Sequence, residues 1–414
     1  MDTTKTAAQH ARTTNGAHMT PAQYAHIVGW GMAVPETVMT NDDISAIVET
    51  SDEWIQARTG IRERRIASAS ESTATLGLKA AQRALEVADV LPTELDLIIC
   101  ATSTPEHIFP SAASLIQSWL GANNAGAFDL SAACSGFVYG VHMAAQAIRS
   151  GSTRTVLVLG AETMSRVMDW NDRSTCILFG DGAGAVVLKA SNIEGGVLSA
   201  VLRSDGTGGD LLGIPSVGSY DIDGVTEISN GHKFGKMHMN GGEVFKFATR
   251  VIADSLTQAA QQAGITLADV KLIVPHQANA RILHSAARSL KISESLFMSN
   301  IDRYGNTSAA SIPIALCEAI QQGRIQANDY IAFVGFGGGL TWASMVVQWG
   351  SPEVTPGSPS FINRQRRQLI YRLAAWRRAL LRASRSIGSS VFRLRPPQKR
   401  MDRPKHKAER HPFD

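Results

Sequence analysis

The sequence predicts an α/β fold made of two similar halves, and two observations lead to this prediction. Short apolar runs alternate with stretches of helical periodicity, as they do in layered α/β proteins. The runs are typical of buried parallel strands because they are apolar on both faces, and they lie at 95–100, 155–159, 185–188 and 270–274. The order of these features then repeats along the chain, with a junction near residue 190.

The repeat consists of three pairs of matching segments in the same order: 95–99 with 270–274, 155–159 with 330–334, and 179–188 with 336–347. Such a duplication places a site naturally at the junction of the halves. The expected organisation is a disordered leader over 1–25, a first half over 26–190, a second half over 191–350, and a basic extension over 351–414 that is partly helical or disordered.

Local signals predict the remaining elements. A short strand over 26–31 is expected to run into a glycine turn. The segment Thr50–Glu53 has the form of a helix start, and Gly60 closes that helix. Helical periodicity predicts further helices at 72–89, 111–120, from just after Cys134 to about Ser150, and at 312–320.

Composition excludes several classes of protein. The chain has 414 residues, of which 44% are hydrophobic, enough for large cores. The four cysteines have no CxxC or short pairing pattern, which argues against a disulfide scaffold and a zinc site: Cys100, Cys134, Cys176 and Cys317. No apolar run is long enough to span a membrane, and the first residues lack the apolar segment of a secretory signal. We therefore expect a cytoplasmic protein.

Charge is unevenly distributed along the chain. Residues 361–414 carry 16 Lys and Arg against 3 Asp and Glu, whereas the remainder carries 24 against 33. The body is thus mildly acidic and the tail strongly basic.

Cys134 is the first candidate for chemistry. It lies where the apolar run ending at Leu130 gives way to a helical pattern, so we expect it at a helix start. Free N–H groups and the helix dipole favour a thiolate there. Small neighbours such as Ser135 and Gly136 leave room for a substrate. A buried structural cysteine is the alternative, and the stretch alone does not decide between them.

His276 and Asn306 are the candidate partners of this cysteine. His276 directly follows the run 270–274, at the carboxyl end of a predicted strand, where open α/β sheets build their sites. Asn306 lies in a second polar turn, 305–311, which leads into a helix. Because all three residues lie at element ends, they are able to converge, and this favours a functional role over an ordinary histidine.

Two other features have simpler explanations. The glycine-rich segment Gly180–Gly184 lacks the Lys-Ser/Thr of a phosphate loop and leads into a strand rather than a helix. Close backbone packing therefore explains it better than a nucleotide-binding site.

Four arginines near Trp54 form either a solvated face, which the sequence favours, or a binding site for a phosphate-bearing ligand with an aromatic base: Arg58, Arg62, Arg64 and Arg65.

The chain from about His26 to Trp349 resembles β-ketoacyl-ACP synthase III, the initiating condensing enzyme of type II fatty acid synthesis. The motifs that carry the resemblance are 50–60, 128–140, 180–185, 274–279, 305–311 and 336–342. The resemblance implies a thiolase-like αβαβα fold of five layers, with a mixed five-stranded sheet in each half, and a homodimer. It also implies a catalytic triad of Cys134, His276 and Asn306.

The resemblance further assigns the two substrates and their contacts. The backbone N–H groups of Cys134 and Gly338 would form the oxyanion hole. Coenzyme A would have its adenine between Trp54 and Arg173, its phosphate near Arg58 and its arm along Asn279. Phe109 would cap the acyl pocket of a partner subunit, core packing being the alternative. Lys246 and Arg281 would attract the acidic acyl carrier protein, and no metal or redox cofactor is implied.

Two questions stay open at this point. The same fold also suits a pathway-specific ketosynthase or acyltransferase of secondary metabolism, and no motif reports the length or branching of the acyl primer. In the tail, Leu369, Leu373, Trp376 and Leu380 fall on one helical stripe among arginines. This stripe fits an anionic membrane surface, an acidic partner, a nucleic acid or a solvated extension, with membrane or acidic partner preferred.

Overall fold

The computed structural model describes residues 23–216, 227–228, 232–350 and 360–393. The predicted leader therefore lies almost wholly outside the described residues, as does the end of the tail. Within the described ranges, the α/β class is confirmed.

Strands and helices alternate through most of the described chain. In chain order the strands are β1 (Tyr24–Ala33), β2 (Val38–Thr40), β3 (Glu63–Arg65), β4 (Leu97–Ala101), β5 (Gly126–Leu130), β6 (Thr155–Thr163), β7 (Asp181–Ser191), β8 (Gly196–Ser204), β9 (Leu212–Gly213), β10 (Glu227–Ile228), β11 (His232–Lys233), β12 (His238–Met239), β13 (Val270–Pro275), β14 (Tyr330–Gly337) and β15 (Thr341–Gln348). The helices are α1 (Asn41–Ser45), α2 (Asp52–Thr59), α3 (Thr73–Val87), α4 (Ala112–Leu120), α5 (Gly136–Arg149), α6 (Arg173–Cys176), α7 (Gly241–Gln262), α8 (Ala280–Leu290), α9 (Ile301–Tyr304), α10 (Ser311–Gln321) and α11 (Phe361–Arg393).

Two mixed sheets form the centre of the fold. The first has the order β1-β7-β6-β4-β5, with β4 parallel to both β5 and β6 and with β7 antiparallel to both β1 and β6. The second has the order β13-β14-β15-β8, in which β13 and β14 are parallel. The sheets draw their strands from opposite sides of the predicted junction near residue 190.

The second sheet differs from the five strands that the resemblance implied. It has four strands among the described residues, and the place of a fifth holds only an isolated parallel bridge between Ile273 and Phe297. The Met298 N–H donates to the Ile273 carbonyl at 2.8 Å, but the chain enters α9 at Ile301. Pairing therefore ends before a strand can form.

Helices cover the outer faces of both sheets and fill the space between them. α3 and α4 pack on the outside of the first sheet, and α7 and α8 on the outside of the second. α5 and α10 lie between the sheets and contact both. The largest apolar cluster joins side chains of α5 and α10 with residues of both sheets, such as Phe137 and Phe333. The predicted five-layer arrangement is thus confirmed.

The glycines of β1 do not form the turn that the sequence predicted. β1 continues through Gly29 and Gly31 to Ala33. A Cβ atom at Gly29 would lie 2.3 Å from the carbonyl oxygen of Ala84, and one at Gly31 would lie 2.5 Å from that of Ala80. Both carbonyls belong to α3, so the glycines let this helix lie directly on the strand.

The segment Gly180–Gly184 is explained by packing, as predicted, although most of it is strand rather than loop. Residues from Asp181 onward belong to β7. A Cβ at Gly184 would lie 2.6 Å from Pro313 of α10, and one at Gly180 would lie 2.3 Å from the Tyr304 carbonyl oxygen. Gly184 therefore lets the central helix α10 lie directly on β7, and Gly180 lets the end of α9 approach the chain before that strand.

The prediction of a solvated arginine face is wrong for Arg64. Its side chain is fully buried and donates to Asn41 Oδ1 and to the Ile177 carbonyl, each at 2.8 Å. Burial lowers the pKa of Arg64 to about 10, so the group stays charged at neutral pH. The arginine therefore links the start of α1 to the loop before β7, because a buried guanidinium needs hydrogen-bond partners.

The tail forms a long helix that packs on the body. α11 runs along α4, and Ile370 packs against Gly121 at the end of that helix. Arg367 is 3% exposed and makes an ion pair with Asp89 at 3.0 Å, while Asn363 donates to the same carboxylate. Burial opposes ionisation of Asp89, but these hydrogen bonds hold its pKa below the usual range. The alternative of a disordered extension is thus wrong for residues 361–393.

None of the helices formed by the described residues combines the length and apolar character needed to cross a membrane.

Candidate active site

One cavity of about 870 Å³ lies where the two halves meet. Cys134 reaches it from the first half, and His276 and Asn306 reach it from the second. All three side chains are buried. The structure therefore brings together the three residues that the sequence singled out.

Cys134 sits in a tight connection between β5 and α5. A short 3-10 turn, Ala133–Ser135, lies between the strand and the helix. Ala133 has a φ of 45°, which an L residue rarely adopts. The predicted position at a helix start is thus confirmed, and the strained residue before the cysteine is typical of a functional turn.

Burial of this sulfur opposes the thiolate that the helix start favours. Burial raises the pKa of Cys134 to about 12, while the hydrogen bond to Ser308 acts in the opposite direction. When the sulfur attacks as a thiol, its proton must leave as the new bond forms.

His276 is held as a neutral imidazole. Burial lowers its pKa to about 3. Its Nδ1 lies 2.7 Å from Ser311 Oγ, which also receives the Gln277 N–H at 3.3 Å. A hydroxyl that accepts from Gln277 is free to donate its own hydrogen to Nδ1, and this favours the tautomer with hydrogen on Nε2. The histidine then presents a donor to the cavity.

Asn306 is fixed by its backbone and by one end of its amide. Its N–H donates to the Leu178 carbonyl at 2.8 Å, and the Gly180 N–H donates to its own carbonyl at 3.0 Å. Its side-chain Oδ1 accepts from the Ser308 N–H at 2.8 Å. Because the oxygen is engaged, the Nδ2 group is left as a donor. His276 and Asn306 thus offer two neutral donors to the same cavity.

A chain of polar groups that the sequence did not reveal lies behind the cysteine. The thiol donates to Ser308 Oγ at 3.5 Å, and Ser308 donates in turn to Glu162 Oε1 at 3.0 Å. Glu162 is fully buried and also accepts from Thr104 Oγ1 at 2.6 Å. Burial raises its pKa, while these hydrogen bonds oppose the rise. Ser308 lies in the turn that supplied Asn306, but nothing in the apolar run of β6 marked Glu162.

The end of β14 lies against the sulfur. A Cβ atom at Gly337 would lie 2.8 Å from the Cys134 nitrogen and 3.2 Å from its sulfur. The predicted oxyanion residue, Gly338, also lines the cavity. Gly337 was not predicted as a site residue, although it belongs to the segment that the repeat identified. Any side chain at 337 would fill the space in which a substrate carbonyl must approach.

Three predicted coenzyme A residues meet at the cavity mouth. The guanidinium carbons of Arg58 and Arg173 lie 4.6 and 4.8 Å from the centre of the Trp54 ring. These are direct stacking distances, so an adenine between Trp54 and Arg173 must first displace that arginine. Trp54 and Arg58 line the cavity. Arg173 reaches the site through its contact with Trp54 and donates to the Glu49 carbonyl at 2.8 Å.

The remaining predicted contacts divide into two groups. Asn279 lines the cavity but is already engaged, because Oδ1 accepts from the Arg281 N–H as the cap of α8 and Nδ2 donates to the Arg58 carbonyl. Lys246 and Arg281 are exposed, and both line the cavity. Phe109 lies outside the cavity and is 86% exposed, so the alternative of core packing is wrong for it.

Fold and cavity together define a thiolase-like protein with a buried cysteine between its halves. The family model described as 3-oxoacyl-[acyl-carrier-protein (ACP)] synthase III matches residues 128–206, and the model of its C-terminal part matches residues 260–349. A β-ketoacyl-[acyl-carrier-protein] synthase III of Roseiflexus sp. (strain RS-1) is 50% identical over 328 residues, which cover 79% of this chain and 99% of the relative. The chain therefore belongs to the β-ketoacyl-ACP synthase III family of condensing acyltransferases.

Solved structures agree with this assignment. The 3-oxoacyl-[acyl-carrier-protein] synthase III of Aquifex aeolicus VF5 matches with a TM-score of 0.73 and 44% identity, covering 78% of this chain and 100% of that one. A priming β-ketosynthase of the R1128 polyketide pathway matches with a TM-score of 0.75 and 36% identity, covering 81% and 99%. The higher identities to synthases III favour that function over a secondary-metabolic one.

Proposed function

We propose that this protein catalyses decarboxylative condensation of an acyl-CoA primer with malonyl-ACP, the initiating step of fatty acid synthesis. The observation that carries the proposal is the convergence of Cys134, His276 and Asn306 on one cavity in a member of this family. The chemistry needs no metal and no redox cofactor.

In the first stage, the Cys134 sulfur attacks the thioester carbonyl of the acyl-CoA. The new S–C bond replaces the bond to the CoA sulfur, which leaves with the proton lost by the cysteine. Backbone N–H groups of Cys134 and Gly338 are proposed to bind the oxyanion, because Gly337 lies against the sulfur and the next residue, Gly338, lines the cavity. An acyl-enzyme and free CoA result.

In the second stage, malonyl-ACP loses carbon dioxide. The electron pair of the broken C–C bond forms an enolate, whose thioester oxygen accepts hydrogen bonds from His276 and Asn306. Two neutral donors suit this oxygen because neither has to give up a proton. The enolate carbon attacks the acyl-enzyme to give 3-oxoacyl-ACP, and the released Cys134 thiolate takes up one proton.

The substrate contacts follow from the cavity mouth. Trp54, Arg58, Arg173 and Asn279 are proposed to bind coenzyme A. Lys246 and Arg281 are proposed to attract the acidic carrier protein, since both charges are exposed beside the opening.

A condensation assay over a series of acyl-CoA primers tests this function. With malonyl-ACP present, we expect release of carbon dioxide and of CoA in equal amounts, with one or a few preferred primers. Carbon dioxide release without CoA release from any primer would contradict the proposal. Acceptance of malonyl-CoA in place of malonyl-ACP at equal rate would contradict the proposed carrier-protein site.

We also propose that the protein is a homodimer that works in the cytoplasm. Phe109 and its neighbour Ile108 are both exposed large apolar side chains, as expected for a surface covered by a second copy. All four cysteines are free, which agrees with a reducing compartment. In sedimentation velocity at micromolar concentration, we expect a species of twice the 44.3 kDa chain mass. A single monomeric species would contradict the dimer.

A further inference from the structure

The tail helix has two different faces. Its inner face is attached to the body through Arg367 and Ile370, and Arg378 adds a hydrogen bond to the Ser118 carbonyl at 2.9 Å. Its other face is apolar and exposed. We call the residues of that face the outer stripe: Ile362, Leu369, Leu373, Trp376 and Leu380.

The outer stripe is a continuous surface rather than scattered side chains. Its last four members are 57%, 53%, 64% and 48% exposed and recur at intervals of four, three and four residues. With 3.6 residues per turn, this spacing places them on one side of the helix, roughly opposite the attached face. A row of large apolar side chains on a helix already packed on its other side is typical of a binding surface.

The charge around the stripe selects the kind of partner. Residues 361–393 contain nine arginines and no lysine, aspartate or glutamate. Arg366 and Arg372 flank the stripe and are exposed. A second copy of the same helix would bring like charges together, so self-association is disfavoured. The surface instead favours a partner that offers apolar groups to the stripe and negative charges to the arginines beside it.

We propose that the outer stripe of α11 binds the surface of a lipid bilayer that contains anionic lipid. Leucine and tryptophan side chains enter the boundary between headgroups and acyl chains, while the flanking arginines meet lipid phosphates. The helix lies flat on the bilayer because the stripe runs parallel to its axis, from Ile362 to Leu380 over about 27 Å. Packing on the body holds it helical beforehand, which removes the cost of folding on binding.

This role is separate from condensation, because the stripe lies outside the catalytic cavity. It would keep an otherwise freely diffusing enzyme at the membrane. An acidic protein is the competing partner, and it would bind through the arginines with less need for five large apolar side chains.

Flotation of the full-length protein with lipid vesicles tests the proposal. We expect flotation with vesicles of phosphatidylcholine and phosphatidylglycerol and much weaker flotation with phosphatidylcholine alone. The double substitution Leu373→Ser/Trp376→Ser should weaken vesicle binding by about tenfold or more, because two large apolar groups are lost from the contact. Condensation measured without vesicles should be unchanged.

The matched control is Gln368→Ser/Ala379→Ser, which alters two exposed positions of α11 outside the stripe. This control should float like the unchanged protein. Absence of flotation with the anionic vesicles, or equal loss in the two double variants, would overturn the proposal. Capture by acidic carrier protein that depends on the stripe, together with unchanged vesicle binding in Leu373→Ser/Trp376→Ser, would also overturn it in favour of a protein partner.

Discussion

Cys134→Ala is expected to abolish acyl transfer from acyl-CoA, with a loss of condensation of at least about 10⁴-fold, because the variant lacks the thiol that takes the acyl group. Cys134 is the only cysteine that lines the cavity within the described residues. Mass spectrometry of the intact protein after incubation with the acyl-CoA gives the direct measurement. The unchanged protein should gain the mass of one acyl group, and the variant should gain none.

Cys317→Ala is the matched control for this experiment. Cys317 is also a free, buried cysteine, but it lies in α10 outside the cavity lining. This variant should still be acylated at one site, even if the lost sulfur lowers its stability. Acylation of Cys134→Ala to the same extent as the control would refute the assignment of the nucleophile.

Asn306→Ala is expected to separate the two stages of the reaction. Removing one of two donors to the enolate oxygen should slow malonyl-ACP decarboxylation and condensation by about 10²- to 10³-fold. Acylation of Cys134 should change far less, because Asn306 has no proposed part in that stage. Rapid-quench measurement of acyl-enzyme, beside a decarboxylation assay, distinguishes the two rates. A variant that loses acylation and decarboxylation equally would contradict this division of roles.

Asn306→Asp provides a useful second variant. It keeps an oxygen to accept the Ser308 N–H, so the turn should fold, but it replaces the amide donor with a carboxylate. We expect it to be at least as defective in decarboxylation as Asn306→Ala, since a negative group would face the developing enolate. Full decarboxylation by the aspartate variant would show that the amide is not the donor.

The same mechanism predicts how pH acts on the second stage. Burial holds the pKa of His276 near 3, so the imidazole stays neutral from about pH 5 to 8 and should contribute no step to the decarboxylation rate. In the unfolded chain the group takes up a proton near its usual pKa of about 6.5. Its contribution therefore favours unfolding increasingly as pH falls below that value towards 3. A decarboxylation rate that titrates with His276 near pH 6.5 would contradict the buried neutral state.

The candidate catalytic residues were predictable because each lies at the end of a recognisable element. Cys134 and His276 follow the carboxyl ends of β5 and β13, which belong to different sheets, and such strand ends are where α/β folds build their sites. The hydrogen bonds that Glu162 accepts from Ser308 and Thr104 were not predictable from the sequence. These partners are distant along the chain, and only folding brings them together. The effect of burial on the pKa of Cys134 was also not predictable, because burial is a property of the whole cavity and not of the helix start.

Other differences also arise from contacts between distant segments. Gly29 and Gly31 carry the local signal of a turn, but the close approach of α3 uses them inside a strand. Arg64 carries the signal of a surface charge, but Asn41 and the Ile177 carbonyl satisfy it in the interior. Periodicity and residue type therefore predicted where the elements lie. Contacts between elements determined the conformation at Gly29 and Gly31 and the burial of Arg64.

The stacking of Arg58 and Arg173 on Trp54 has a consequence for ligand affinity. In the proposed complex with coenzyme A, the adenine replaces Arg173 on the indole ring, so it gains only the difference between two stacking interactions. If the open arrangement is a minor fraction of the population, the observed dissociation constant equals the intrinsic one divided by that fraction. Displacing the arginines therefore lowers the affinity for any ligand in the proposed complex, and phosphates that bind the displaced guanidinium groups offset this loss. We expect a bare nucleobase, or a truncated thioester without phosphates, to bind only weakly.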